Sequence, residues 1–321
     1  MKIFLTGATG FVGSHLLEKL LQDGHKIFAL VRSPNKVQIS SPQLTLIKGD
    51  LNSPFALSTV DMESMDVIIH TAGIVHSFTS QEFFEVNNQG TINLINKFQS
   101  NTKLKFILIS SLAARGPFET EIIDQPVSDY GKSKKAAELS LAQLAPTSWT
   151  KIIIRPPMVI GPRDTAVLDI FKMVQDGFVL LPGLDSKNKV YSFVCVHDLV
   201  NTITQSIKLT EHATIYSSYD QTITFYELIK MIQYKLKKSW IIFLPIPAFL
   251  IKILASILAF IHQFFPHNLR LTPDKINELL PKKWICDNQQ SKLLLKQQYE
   301  FDLDRTIEIT LKDYQKNNWI K

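Results

Sequence analysis

Ile3-Phe4-Leu5-Thr6-Gly7-Ala8-Thr9-Gly10-Phe11-Val12-Gly13 is the stretch whose reading decides the fold of this chain. The apolar run from residue 3 reads as a buried strand, and Val12, Leu16, Leu17, Leu20 and Leu21 recur at helical spacing directly after it. A strand therefore turns into a helix across three glycines. Gly7 suits a positive-φ turn, Gly10 carries no Cβ to hold a pyrophosphate off the backbone, and Gly13 lets helix and strand pack closely. The N–H groups and partial positive charge of the first helical turn would face that anion. A second strand at Lys26–Val31 supplies the context that separates a dinucleotide site from a tight turn with no ligand.

Working outward, short apolar runs at 44–47, 66–70, 105–109 and 151–155 alternate with helical patterns. One helix is expected from Glu85 through Ile95, another from Tyr130 to Leu144, stopping before Pro146. Alternation of this kind predicts an α/β fold with a doubly wound parallel sheet. Arg32 stands at the end of the second strand, where an acidic residue would bind an adenosine ribose. A guanidinium there suits a 2′-phosphate, so the expected cofactor is NADP, with NAD as the second choice.

At 321 residues, 45% hydrophobic and 20% charged, the chain is globular and long enough for a nucleotide-binding domain plus a smaller one. The formal charge of +6 is spread along the chain and forms no dense block, which argues against nucleic acid as partner. Two distant cysteines, Cys195 and Cys286, give no disulfide framework, and no Cys/His cluster has metal spacing. Thr6-Gly7 interrupts the first apolar run, which argues against a signal peptide and for a cytoplasmic location.

The Thr6-Gly7-x-x-Gly10-x-x-Gly13 spacing resembles that of the extended short-chain dehydrogenase/reductase superfamily, whose members include epimerases, dehydratases, 3β-hydroxysteroid dehydrogenases and dihydroflavonol reductases. The resemblance is strong to about residue 165. It implies a Rossmann-type domain over 1–165 with a return segment at 190–217, and a mostly helical substrate domain over 166–189 and 218–321. It also implies that Thr6, Thr9, Phe11 and Val12 touch the cofactor with the glycines, and that Asp50 and Leu51 lie beside the adenine. His70-x-Ala72-Gly73 is similar to the superfamily's small-residue loop near the cofactor ribose, and Pro157 to a residue passing beside the nicotinamide. Asn87 matches an asparagine that helps order a water and the lysine.

Ser111, Tyr130 and Lys134 match the superfamily's catalytic set, Ser111 being chosen over Ser110 because it stands five residues before Gly116. Tyr130 and Lys134, four apart, share one helical face and would both contact the cofactor. A fixed ammonium from Lys134 is expected to make the Tyr130 phenol more acidic, while Ser111 holds the substrate oxygen.

Leu112-Ala113-Ala114 lacks the acidic residues that dehydratases carry there, and Tyr191 stands where the epimerases place a diphosphate-binding Arg. The expectation is a dehydrogenase/reductase acting on CH-OH groups of a bulky, apolar, sterol-like or lipid substrate. A nucleotide-sugar epimerase and a non-catalytic NADP-binding regulator are the alternatives. Residues 240–265 are nearly all apolar, with Lys252, Ser256 and Gln263 on one narrow helical face. Three readings stand: a helix packed in the core or in a homodimer, a lid over a greasy substrate, or a helix in the interface of the inner membrane face with Lys252 snorkelling. Thr272 and Pro273 are expected to start a helix, and another should close the chain from Leu303 to Trp319.

Overall fold

A computed structural model describes residues 1–52, 61–118, 124–265 and 271–320, the side chain of Gln263 excepted. In chain order β1 (Lys2–Thr6), α1 (Phe11–Gln22), β2 (Lys26–Val31), β3 (Leu44–Lys48) and β4 (Val67–His70) come first. They are followed by α2 (Ser80–Phe83), α3 (Gly90–Phe98), β5 (Lys105–Ile109), α4 (Asp129–Leu144) and β6 (Thr150–Arg155). After β7 (Met158–Ile160), α5 (Leu168–Asp176), β8 (Phe178–Pro182), β9 (Val190–Tyr191), β10 (Phe193–Cys195) and α6 (Val196–Ser206), β11 (Ala213–Tyr216) returns to the main sheet. That sheet has seven strands in the order β11-β6-β5-β4-β1-β2-β3, and every pairing in it is parallel.

Helices cover both faces, so the strands read as continuous apolar runs with no alternation. Ile3 and Leu5 face one core with Leu16, Leu17 and Leu20 of α1 and Leu199 and Ile203 of α6. Phe4, Phe106 and Leu108 face the other, with Leu94 and Phe98 of α3 and Ala137 and Leu141 of α4. The chain winds outward from β1 on one side and from β4 on the other. The crevice between the carboxyl ends of these two strands is where such sheets bind ligands.

The remaining chain is mostly helical: β12 (Ile223–Thr224), α7 (Phe225–Lys235), β13 (Ile242–Ile246), α8 (Ala248–Phe264), α9 (Pro273–Leu279), β14 (Lys283–Trp284), α10 (Gln289–Leu295) and α11 (Leu303–Lys316). Phe171 of α5, Leu228 and Ile232 of α7, and Ile307 and Tyr314 of α11 form its core. The buried Asp198 carboxylate ties α6 to it by accepting the backbone N–H groups of Glu300 and Phe301, at 3.2 and 3.0 Å. Thr272 does cap α9, accepting from Lys275 N at 3.1 Å.

Two helix boundaries differ from expectation. The helix expected from Glu85 begins earlier, at Ser80, because the Thr79 hydroxyl caps it, and it widens through one π turn at Phe84–Gln89 before α3. The last helix ends at Lys316: Asn318 takes a left-handed φ of 57°, and Trp319 folds back so that its ring lies 5.7 Å from that of Tyr314.

Candidate active site

At the β1–α1 turn the three glycines divide the work. Gly7 has φ +77°, and a Cβ there would stand 2.4 Å from Thr71 Oγ1. A Cβ on Gly13 would stand 2.0 Å from the Gly7 carbonyl oxygen, so helix and turn are in contact with no room between them. At Gly10 the nearest atom to a Cβ would be that same oxygen at 3.3 Å, and no side chain caps α1. The first-turn N–H groups therefore face an open side, as a pyrophosphate cradle requires. Ala8, Thr9, Gly10 and Phe11 line a cleft of about 240 Å³, together with Val37 and Arg163.

The loop after β4 is fixed by a buried chain of hydrogen bonds. Thr91 Oγ1 donates to Asn87 O at 2.7 Å, so it accepts from His70 Nε2 at 3.0 Å. His70 Nδ1 then accepts from Thr6 Oγ1 at 2.7 Å, and Thr6 Oγ1 accepts from Ala72 N at 3.3 Å. One neutral tautomer satisfies every partner. Burial, aided by Lys134, pushes the His70 pKa down to about 3. His70 is thus a strut under the Ala72-Gly73 loop, and its ring is spent inside the protein.

β5 and α4 bring Ser111, Tyr130 and Lys134 together. Ser111 leaves β5 in extended conformation, its hydroxyl accepts from Ala113 N at 3.1 Å, and its polar influence on the Tyr130 phenol favours the ionised form. Ser110, one residue earlier, points away and donates to Glu138 at 2.5 Å. Lys134, one turn after Tyr130, is buried and donates to Ile109 O at 2.6 Å. Burial lowers its pKa to about 8, opposed by the Glu138 carboxylate. A Cβ on Gly73 would stand 3.6 Å from Lys134 Nζ and 2.8 Å from Asn87 Oδ1, which places all three around one point.

Asn87 clamps this point from the other side. Its Oδ1 accepts from Ile74 N at 2.8 Å, and its Nδ2 donates to Ile74 O at 3.0 Å and to Ser133 Oγ at 2.9 Å. The phenol itself departs from the acidity expected of it. Burial raises the Tyr130 pKa above that of an ordinary tyrosine, Ser111 only partly offsetting it and the Glu278 charge adding to it. Tyr130 is a neutral phenol across the physiological range.

The surroundings differ by direction. Leu112, Val127, Tyr191 and Trp284 pack with Tyr130 into an apolar wall. Beyond Phe83, whose ring lies 6.0 Å from that of Tyr130, a cleft of about 440 Å³ is lined by Ser77, Asp129 and Asp274, and roofed by Lys252 and Ser256 of α8. Arg32 and Asp50 stand together at the ends of β2 and β3, 3.9 Å apart, with the Arg32 side chain 80% exposed. Leu51 packs over the start of α3 at Gly90. Pro157 follows Pro156, whose carbonyl accepts from Leu112 N at 2.9 Å and so ties that segment to the one after Ser111. Among the described residues no group of three His, Cys, Asp or Glu side chains could hold a metal ion.

Two groups at the site escape sequence reading. Glu138, one turn beyond Lys134, accepts from Ser110 and from Arg155 at 2.8 and 2.5 Å, while Arg155 also binds Asp124 and the Tyr216 hydroxyl. Its i+4 spacing from Lys134 was a usable signal. Asp274 of α9 accepts the N–H groups of Asp129 and Tyr130, at 2.6 and 3.3 Å, and Glu278 accepts from the Ser128 hydroxyl at 2.8 Å. These cap the catalytic-type helix from about 145 residues away, and no local pattern announces them.

A parallel sheet reversing beside a glycine-rich phosphate cradle, with a Ser–Tyr–Lys cluster at its carboxyl edge, defines a nicotinamide-dinucleotide type of site. The chain belongs to the NAD dependent epimerase/dehydratase family, whose model matches residues 3–217. It is 34% identical over 189 residues to a ceramide reductase of Caulobacter vibrioides, covering 59% of this chain and 55% of that protein. It is 33% identical over 221 residues to a UDP-glucose 4-epimerase of Vibrio cholerae, covering 64% and 66%. A 3 beta-hydroxysteroid dehydrogenase/Delta 5-->4-isomerase of Mycobacterium tuberculosis is 30% identical over 219 residues, covering 62% and 58%. The matches thus span less than two thirds of these relatives' own lengths. Among solved structures, a UDP-glucuronic acid 4-epimerase from Bacillus cereus in complex with NAD superimposes with a TM-score of 0.74 at 19% identity, covering 99% of each chain, which speaks for the fold.

Proposed function

We propose that this protein is an NADP-preferring reductase or dehydrogenase that interconverts a ketone and a hydroxyl on a bulky, lipid-like molecule. The carrying observation is the convergence of Ser111 at the end of β5 with Tyr130 and buried Lys134 on one face of α4, the Lys134 ammonium standing beside Gly73. The cofactor fits the residues present: the cradle at Gly10 is open where a Cβ would intrude, and Gly73 leaves space against Lys134. When bound, it supplies or accepts the hydride. Residues 1–165 with 190–217 would hold it, and 166–189 with 218–321 would hold the substrate.

In the reducing direction Ser111 positions the carbonyl oxygen and Tyr130 gives it a proton. A phenol that burial keeps protonated suits that task. Lys134, charged at neutral pH, stabilises the phenolate left behind, and Glu138 holds Lys134 in its charged form. Asn87 keeps the Ile74 loop and α4 in register and so sets the distance between Lys134 and Gly73. The exposed Arg32 guanidinium beside Asp50 favours a 2′-phosphate.

A lipid substrate is supported by the apolar wall at Tyr130, by Tyr191 in place of a diphosphate-binding Arg, and by relatives that act as a ceramide reductase and a steroid dehydrogenase. The test is NADPH absorbance with sterol ketones, long-chain β-keto lipids and nucleotide sugars, with NADH run alongside. Net NADPH oxidation by a lipid ketone is the expected result. Cofactor-neutral conversion of a UDP-sugar would overturn the substrate class in favour of an epimerase, and a clear NADH preference would overturn the role of Arg32.

A further inference from the structure

The outer surface of the C-terminal part breaks the usual rule for a face that meets water. β8 and β13 form a two-stranded parallel sheet pairing Phe178 with Ile242 and Leu180 with Leu244. Val179 and Leu181 point into the core, whereas Phe178, Leu180, Ile242 and Leu244 are exposed. A solvated sheet face is normally polar. This one carries four large apolar side chains, with the Trp240 ring 5.8 Å from that of Phe178.

β13 runs through Pro247 into α8. The inner side of α8 is Ile251 and Ala255, packed on Ile276 of α9. Outward, Phe249, Ile253, Ile257, Phe260 and Phe264 form a stripe in which each residue is 50–64% exposed. Contiguous apolar area of this kind marks an interaction site. Among the described residues no helix is long and apolar enough to cross a membrane, and α8, about 25 Å long, is suited to lying flat.

Charge identifies the occupant. No Asp or Glu occurs between Glu227 and Asp274, an interval in which Lys237 and Lys238 lead into Trp240; Lys235 is paired with Asp304 and Glu308, and Lys252 lines the cleft. The Lys238 ammonium lies over the Trp240 ring at 4.9 Å, where it donates to Gln175 O, and the Lys187 ammonium over the Phe243 ring at 4.4 Å, so cations border this apolar face. In a two-fold dimer the same patch would meet itself, setting lysines against lysines with no acidic residue of that segment to pair them. An anionic bilayer supplies the missing countercharge.

We propose that the outer face of β8–β13 and the apolar stripe of α8 form a docking surface for an anionic lipid bilayer. A flank of α8, through Lys252 and Ser256, lines the cleft that also reaches Phe83 and Asp129, so docking and access share one helix. A lipid substrate entering along α8 rests on the reading above; the docking does not.

The test is sedimentation of the full chain, without substrate or cofactor, with vesicles of phosphatidylcholine alone or with phosphatidylglycerol. Binding is expected to the anionic vesicles, to weaken with salt, and to fall at least about tenfold in the Ile253→Ser/Ile257→Ser/Phe260→Ser variant. These positions are solvent-exposed, and circular dichroism checks that the variant is folded. Lys237→Glu/Lys238→Glu should lower binding to anionic vesicles only. Equal binding to both vesicle types would overturn the choice of an anionic surface. Absence of binding, or a dimer in ultracentrifugation that the triple variant dissolves, would overturn membrane docking. Turnover plays no part in this readout, so it stands or falls apart from the substrate assignment.

Discussion

Alanine at Gly10 and alanine at Gly13 should fail in opposite ways, although both add one methyl to the same turn. At Gly13 the new Cβ would stand 2.0 Å from the Gly7 oxygen, 2.7 Å from its carbon and 2.9 Å from Thr71 Oγ1. Relief requires the start of α1 to move more than about 1 Å from β1, whose backbone is locked between β2 and β4. Overpacking costs about 1–3 kcal/mol, and a clash with backbone belongs at the top of that range, a large fraction of a domain's stability. At Gly10 the backbone is extended, with φ −83° and ψ 176°, and the methyl would meet only the Gly7 oxygen at 3.3 Å. Gly10→Ala should therefore unfold within about 0.5 kcal/mol of the parent, or gain slightly from the lost chain entropy. Its methyl instead stands where a phosphate must approach, so NADPH affinity should fall at least about tenfold, or 1.4 kcal/mol. Urea denaturation followed by circular dichroism and NADPH fluorescence titration read the two effects separately. A Gly10→Ala variant that binds NADPH as tightly as the parent would refute the division of labour argued for the turn.

Turnover should decline as pH rises through about 8, since above it buried Lys134 sheds the proton whose charge the phenolate needs. Glu138→Gln should move that decline to lower pH, because the Glu138 charge is what opposes burial of the ammonium; an unmoved profile contradicts this role. Asp274→Ala removes the acceptor of the Asp129 and Tyr130 N–H groups and should cost about 1–3 kcal/mol in thermal stability while lowering kcat. A kcat equal to the parent's would show that Tyr130 is positioned without it.

Much of the fold was legible in the sequence because strands buried on both faces leave continuous apolar runs, and because caps are local. Thr272 and Pro273 at the start of α9 are an example, and so is the Gly7 to Gly13 turn. The π turn at Phe84–Gln89 was not legible, since the Thr79 cap that shifts the helix start lies upstream of the apolar pattern. The candidate site was legible where it is a motif on one strand or one helix. It was illegible where distant segments supply buried polar partners, as Asp124, Glu138 and Arg155 do around Ser110, and Asp274 and Glu278 do at the head of α4. The acidity of Tyr130 is the instructive case. Spacing placed Lys134 on the same helical face, but it shows neither that the ammonium donates to the Ile109 carbonyl nor the burial that keeps the phenol protonated.

The most direct test of the central claim is hydride transfer by Tyr130→Phe, a change that keeps the ring against Leu112 and Trp284 and deletes only the hydroxyl. With NADPH and a ketone substrate, stopped-flow absorbance should show transfer slowed by about 10²–10⁴-fold while the NADPH dissociation constant stays at the parent value. Transfer at the parent rate would contradict the account, for the proton would then come from another group.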